Sequence, residues 1–76
     1  MMNEHDRVVL TKPLKGVGLE CGDVGTIVHV HDARVAFEVE FVSLDGETSI
    51  IATVKSSALR PVSKREIPHA RQLAVA

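Results

Sequence analysis

The stretch "DARVAFEVEFVSLDGE", residues 32–47, decides how this chain is read. Its middle, 35–42, is apolar except where acidic residues alternate over 37–41, and each end carries a reversal signal. Asp45-Gly46 is a strong two-residue hairpin signal, because such turns need left-handed backbone that glycine adopts without penalty. If those two residues form the turn, Leu44 faces Glu47. Counting outward then pairs Phe41 with Ile50, Val39 with Ala52 and Phe37 with Val54. Strand side chains alternate between faces, so these six apolar residues share one side. Ala33-Arg34 is a weaker signal at the other end. A two-residue turn there pairs Val30 with Phe37 and Val28 with Val39. The two turns are placed independently, yet both bury the same side of the middle strand.

Working outward, glycine and proline cut the remainder into short pieces. "RVVLT" (7–11), "DVGTIVHVH" (23–31) and "TSIIATV" (48–54) are rich in branched side chains and read as strands. Residues 12–22 hold three glycines and a proline and read as a long folded-back loop. "KSSAL" (55–59) suits one turn of 3₁₀ helix. "RPV" (60–62) reads as a last, brief strand. Pro61 has no N–H to donate, so that strand is expected at an edge. The register also defines the opposite face. His29 lies across from Glu38, with Thr53 beyond. Ile27 lies across from Glu40, with Ile51 beyond. Ile27, His29, Glu38, Glu40, Ile51 and Thr53 are therefore expected on one outer surface.

The chain has 76 residues, 45% of them hydrophobic, and a net charge of −1. That is one small domain, near the lower size limit for independent folding. The lone Cys21 forms no internal disulfide and points to a reducing cytoplasm. No apolar run approaches the roughly 20 residues that span a bilayer, so no membrane role is expected. The polar start, "MMNEHDR", does not read as a signal peptide. Charge is unevenly spread. Residues 1–62 carry a net −3 and residues 63–76 a net +2. We divide the chain into an acidic all-β body, 1–62, and a basic C-terminal tail, 63–76.

Five short strands, a long loop after the first, tight turns next and one helical turn before the last resemble an SH3-like barrel. Within it, "GDVGTIVHV" is similar to the KOW-type glycine block, which in this chain is Gly25-Thr26-Ile27. Gly25 gives room for a bulge or a close backbone crossing. A bulge there would turn Ile27 inward and alter the outer face. More of the chain, residues 6–62, resembles a small uncharacterised bacterial family of SH3-like proteins. The residues that carry this likeness are Gly18-Leu19, Gly22 to Val28, Glu38 to Phe41, Asp45 to Thr48 and Leu59-Arg60-Pro61. The resemblance implies a fold and no activity.

The chemistry-bearing residues make few constellations. His29 and His31 share a strand side with Glu38, which makes them a weak candidate set for a metal such as zinc. No fourth ligand is evident, so no metal or cofactor is assigned. Glu38 and Glu40 lack the cleft that paired catalytic carboxylates need, and a solvated face explains them. Cys21 has no evident activating base and is expected to be a small, partly buried structural residue. No catalytic residue is nominated. Nucleic-acid binding needs clustered Lys and Arg and usually stacking aromatics. Here the body is acidic, and Phe37 and Phe41 are the only aromatics. In the tail, "SKREIPHARQLAVA", Ser63 and Glu66 have capping-box spacing. A helix starting at Pro68 would align Ile67, Ala70, Leu73 and Ala74. So short a helix needs a surface to dock on, its own body, a twin or another protein, or else the segment stays disordered.

The expectation is therefore a cytoplasmic, non-catalytic protein-protein interaction module. It would self-associate as a homo-oligomer or regulate a larger bacterial protein. Its surface would comprise Ile27, His29, Glu38, Glu40, Ile51 and Thr53, or an open strand edge, helped by Lys64, Arg65 and Arg71. A KOW-like nucleic-acid-binding module is the alternative.

Overall fold

A computed structural model describes residues 1–73. The chain forms five strands: β1 (Arg7–Leu10), β2 (Val24–Val30), β3 (Ala36–Val42), β4 (Ser49–Lys55) and β5 (Leu59–Pro61). Single 3₁₀ turns lie at Lys15–Val17, Asp32–Arg34 and Ser56–Ala58. The described residues contain no α-helix, and none of their helical turns is long and apolar enough to cross a membrane. All neighbouring strands are antiparallel, in the order β4-β3-β2-β1-β5. The pairing does not join β4 to β5, so the sheet is not closed by hydrogen bonds.

The β3–β4 register is the expected one, pairing Phe41 with Ile50, Val39 with Ala52 and Phe37 with Val54. The connection that sets it is longer than two residues. Ser43 N–H donates to the Thr48 carbonyl at 2.8 Å, and Gly46 N–H donates to the Ser43 carbonyl at 2.8 Å. Leu44-Asp45 therefore sit at the centre of the turn, and Gly46 follows them with φ 78°. The Asp45 carboxylate accepts from the Ser43 hydroxyl and the Glu47 N–H. Those bonds hold its pKa below the ordinary range. The residue count across the loop is unchanged, which is why the register survives. The other reversal is also longer than the two residues expected. His31 N–H donates to the Ala36 carbonyl at 3.1 Å, and Arg34 N–H donates to the His31 carbonyl at 3.0 Å. Residues 32–35 therefore form a four-residue loop in which Ala33 (φ 59°) and Arg34 (φ 56°) are left-handed, and the register is kept.

The β2–β3 register departs from simple alternation. Val30 pairs with Phe37 and His29 with Glu38, but Ile27, not Val28, stands opposite Val39, and Thr26 stands opposite Glu40. Val28 is the extra residue of a β-bulge. The cause is legible in the side chains. Without a bulge, Val28 and Thr26 would turn inward and Ile27 and Gly25 outward. With it, the core takes the larger Ile27 and spares the Thr26 hydroxyl from burial. Backbone pairing on the β1 side secures the arrangement. His5 N–H donates to the Ile27 carbonyl at 2.7 Å, and Ile27 N–H donates to the Asp6 carbonyl at 3.0 Å. Ile27 is 0% exposed and Val28 37%.

The core comprises Val8, Leu10, Leu19, Ile27, Phe37, Val39, Phe41, Val54, Ala58 and Leu59. Gly25 lies beneath it. A Cβ built there would come within 2.6 Å of Val39 Cγ1 and 2.8–2.9 Å of the Phe41 ring. Short, proline-bearing β5 lies at the sheet margin, as expected for an N–H-deficient strand.

Candidate interaction surface

Five of the six expected outer-face residues stay together, and one leaves. Ile27 is not a surface residue, because the bulge turns it into the core. Its place opposite Glu40 is taken by Thr26. His29, Glu38, Glu40, Ile51 and Thr53 remain on the side away from Phe37, Val39 and Phe41, because alternation along β3 and β4 is unbroken. Ile51 is 60% exposed and is the most exposed large apolar group of this face, which Val42 also shares.

The polar groups of the face bind one another. Thr53 Oγ1 donates to Glu38 Oε2 at 2.6 Å, and Ser49 Oγ donates to Glu40 Oε2 at 2.7 Å. The anticipated His29–Glu38 contact is made by the neighbouring histidine instead. His31 Nε2 lies 2.6 Å from Glu38 Oε2, while His29 packs edge-on against His31 with ring centroids 5.2 Å apart. The Thr53 hydroxyl, followed by His31, holds the Glu38 carboxyl below its usual range. His29, His31 and Glu38 do not make a metal site. No group of three His, Cys, Asp or Glu among the described residues is arranged to hold an ion.

The margin of the face is β4. It pairs with β3 on one side only and lies at the end of the sheet order. A shallow cleft separates its Ile51–Thr53 segment from the Pro13–Val17 part of the long loop. Leu14 and Leu19 close the base of that loop by bridging to each other. β4 spans seven residues and carries one charge, Lys55, at its end. Natural edges are normally blunted by charge, proline or shortness. β5, three residues long with Arg60 and Pro61, has all three of those devices, whereas β4 has only the Lys55 at its C-terminal end.

The tail departs from expectation in two respects. It forms no helix over residues 63–73, and Ala74, which the helix would have included, lies outside the described residues. Half of the capping box is present: Glu66 Oε1 accepts from the Ser63 N–H at 2.7 Å. The rest of Glu66 is taken by Arg60, whose Nη1 and Nη2 reach its two oxygens at 2.8 and 2.6 Å. Arg71 is not a free surface cation. It turns back onto Asp23 and leaves Lys64 and Arg65 as the exposed cations of the tail. The extended path is what brings Arg71 to Asp23 and Leu73 to the core. Two turns of isolated helix would not offset the loss of both contacts. Sequence reasoning noticed opposite charge on body and tail but did not name these pairs. Cys21 is exposed rather than partly buried, with its thiol 3.5 Å from the Thr11 carbonyl.

Two of the comparisons with known proteins are negative: no curated protein and no solved structure matches the chain. One family model, described as a domain of unknown function, matches residues 4–61.

Proposed function

Since the chain belongs to the family described as a domain of unknown function (DUF4926), a premise that assigns no activity, we propose that it is a non-catalytic protein-protein interaction module working through the open edge of β4. The strand order, the long loop after β1 and the 3₁₀ turn before β5 support an SH3-like barrel as its scaffold. The observation that carries the reading is a seven-residue edge strand without proline, whose only charge is the Lys55 at its end, next to an Ile51 that is 60% exposed. Such an edge accepts a further strand, with main-chain bonds giving affinity and alternate side chains giving selectivity. The simplest partner is a second copy, and a larger bacterial protein regulated by strand addition uses the same edge.

Sedimentation of the wild type and of Ile51→Lys across a wide concentration range tests this. The wild type moves to a faster species as concentration rises, and the lysine variant stays monomeric. A wild type that remains monomeric throughout, and retains no host protein that Ile51→Lys releases, defeats the proposal. The alternative, a KOW-like nucleic-acid module, draws on the glycine block around Gly25. Against it, Arg60 and Arg71 are tied to Glu66 and Asp23, and Glu38 and Glu40 occupy the exposed face. Nucleic-acid binding at low salt that weakens steeply with added salt would favour that alternative.

A further inference from the structure

The loop entering β2 is built as a receptor for a guanidinium group, and the chain's own tail fills it. Asp23 Oδ2 accepts from the Glu20 N–H at 2.8 Å, which orients both carboxylate oxygens. Arg71 Nε donates to Oδ1 at 2.9 Å and Nη2 donates to Oδ2. Nη2 also reaches the Gly18 carbonyl at 3.1 Å, and Nη1 lies 3.6 Å from Glu20 Oε2. Three residues thus converge on one planar cation. That fork geometry matches arginine and not the point charge of lysine. Asp23 is screened from solvent, with its side chain 17% exposed. Two residues beyond Arg71, Leu73 packs against the core.

Apart from Glu66, which Arg60 holds, the remainder of the tail is loosely held. Residues 63–70 are exposed, and Ile67, the bulkiest apolar group there, is 88% exposed. Among the described residues no backbone hydrogen bond joins 67–73 to the sheet. Between tail and sheet lies an open-sided space of about 1240 Å³, whose apolar lining includes Val9, Leu19, Phe41 and Ile50. A segment serving only to finish the core would put Ile67 into that space. This one is pinned by an arginine and a leucine and arches over the rest.

We propose that the Gly18–Glu20–Asp23 socket and the adjoining apolar space form a peptide-docking site. Its ligand is an extended segment of a partner protein, bearing an arginine and, two residues later, an aliphatic side chain. The tail occupies the site in the resting chain and is displaced when the partner binds. The net −3 of residues 1–62 suits a basic ligand. The site meets β4 only at Ile50, on the Phe41 side of the strand, and not at the Ile51–Thr53 stretch, so it is tested separately from the strand-addition reading.

A fluorescent peptide of residues 63–76 is the probe, titrated into full-length wild type and full-length Arg71→Ala. The Arg71→Ala protein, with its socket vacated, binds the peptide at least about tenfold more tightly than the wild type, where the tethered tail competes. Replacing the peptide's own arginine by lysine weakens binding at least about tenfold, and alanine abolishes it. In the wild type, excess peptide shifts the amide resonances of Gly18, Glu20 and Asp23. The proposal is overturned if both proteins bind equally, if the peptide's arginine is immaterial, or if excess peptide leaves those wild-type resonances unmoved.

Discussion

Gly25 owes its place to what surrounds it. Its α-carbon faces Val39 and Phe41, both buried core residues whose rotamers are locked by packing. A methyl group there has nowhere to go without moving a ring or the β2 backbone. Overpacking of this kind costs about 1–3 kcal/mol. Gly25→Ala is therefore expected to lose stability in that range, read as a lower urea midpoint with the slope of the transition unchanged. The same substitution at Gly16, which has nothing within 4 Å of a built Cβ, serves as the control and leaves the midpoint nearly in place. The sequence already marked Gly25 as a point of close approach. What it did not contain was the identity of the two groups approached, because that depends on how strands distant in sequence lie across one another.

The bulge in β2 is the element that separates what was legible from what was not. Alternation correctly placed β3, where two acidic residues alternate with three large apolar ones and leave a single solution. β2 offers branched residues at consecutive positions, 27 and 28, and either parity satisfies the local pattern. The choice is made by Asp6 and His5 on the neighbouring chain segment and by the demand to bury the larger side chain. A paired substitution tests this. Ile27→Lys places an unpaired charge in the core and is expected to abolish cooperative unfolding. Val28→Lys, one residue on, is expected to change stability by no more than about 0.5 kcal/mol. Chemical denaturation of both variants checks it, and equal damage would mean the bulge lies elsewhere. The Asp45-Gly46 reversal gives the complementary lesson. Its length was misread, but a symmetrical four-residue loop preserves the same pairing, so the buried face was still found.

For the molecule as a whole, two charged clasps join body and tail, and of the two only Arg71 on Asp23 follows the division into acidic body and basic tail. Arg60 holds Glu66, and Arg71 holds Asp23. The Arg60 guanidinium, with help from the Ser63 N–H, brings the Glu66 carboxyl down to about 2 from an ordinary 4.5. At Asp23 partial burial opposes ionisation, but the bonds from Arg71 and the Glu20 N–H outweigh it, and the carboxyl again sits low. Both groups are depressed in the folded chain. Their stabilisation is thus present above the unfolded values and is lost as pH falls through the folded ones. For Glu66 the window runs from about 4.5 down to about 2. Glu66→Gln is expected to be less stable than the wild type at pH 7 and to match it near pH 2. Thermal unfolding at the two pH values reads this directly, and a gap that persists in acid would refute the assignment. Composition disclosed the two charge signs. The partners were hidden because Asp23 and Arg71 are 48 positions apart, and only the fold closes that separation.

The two margins of the sheet are unequal. β5 is three residues long and ends in Pro61, while β4 runs for seven residues without interruption. If strand addition works through β4 as proposed, the molecule has one adhesive border and a built-in limit on growth. When two copies meet along that border, each consumes the other's, and the resulting pair has a two-fold axis and nothing left to recruit a third. Fibres need a second border of equal quality, and the proline removes it.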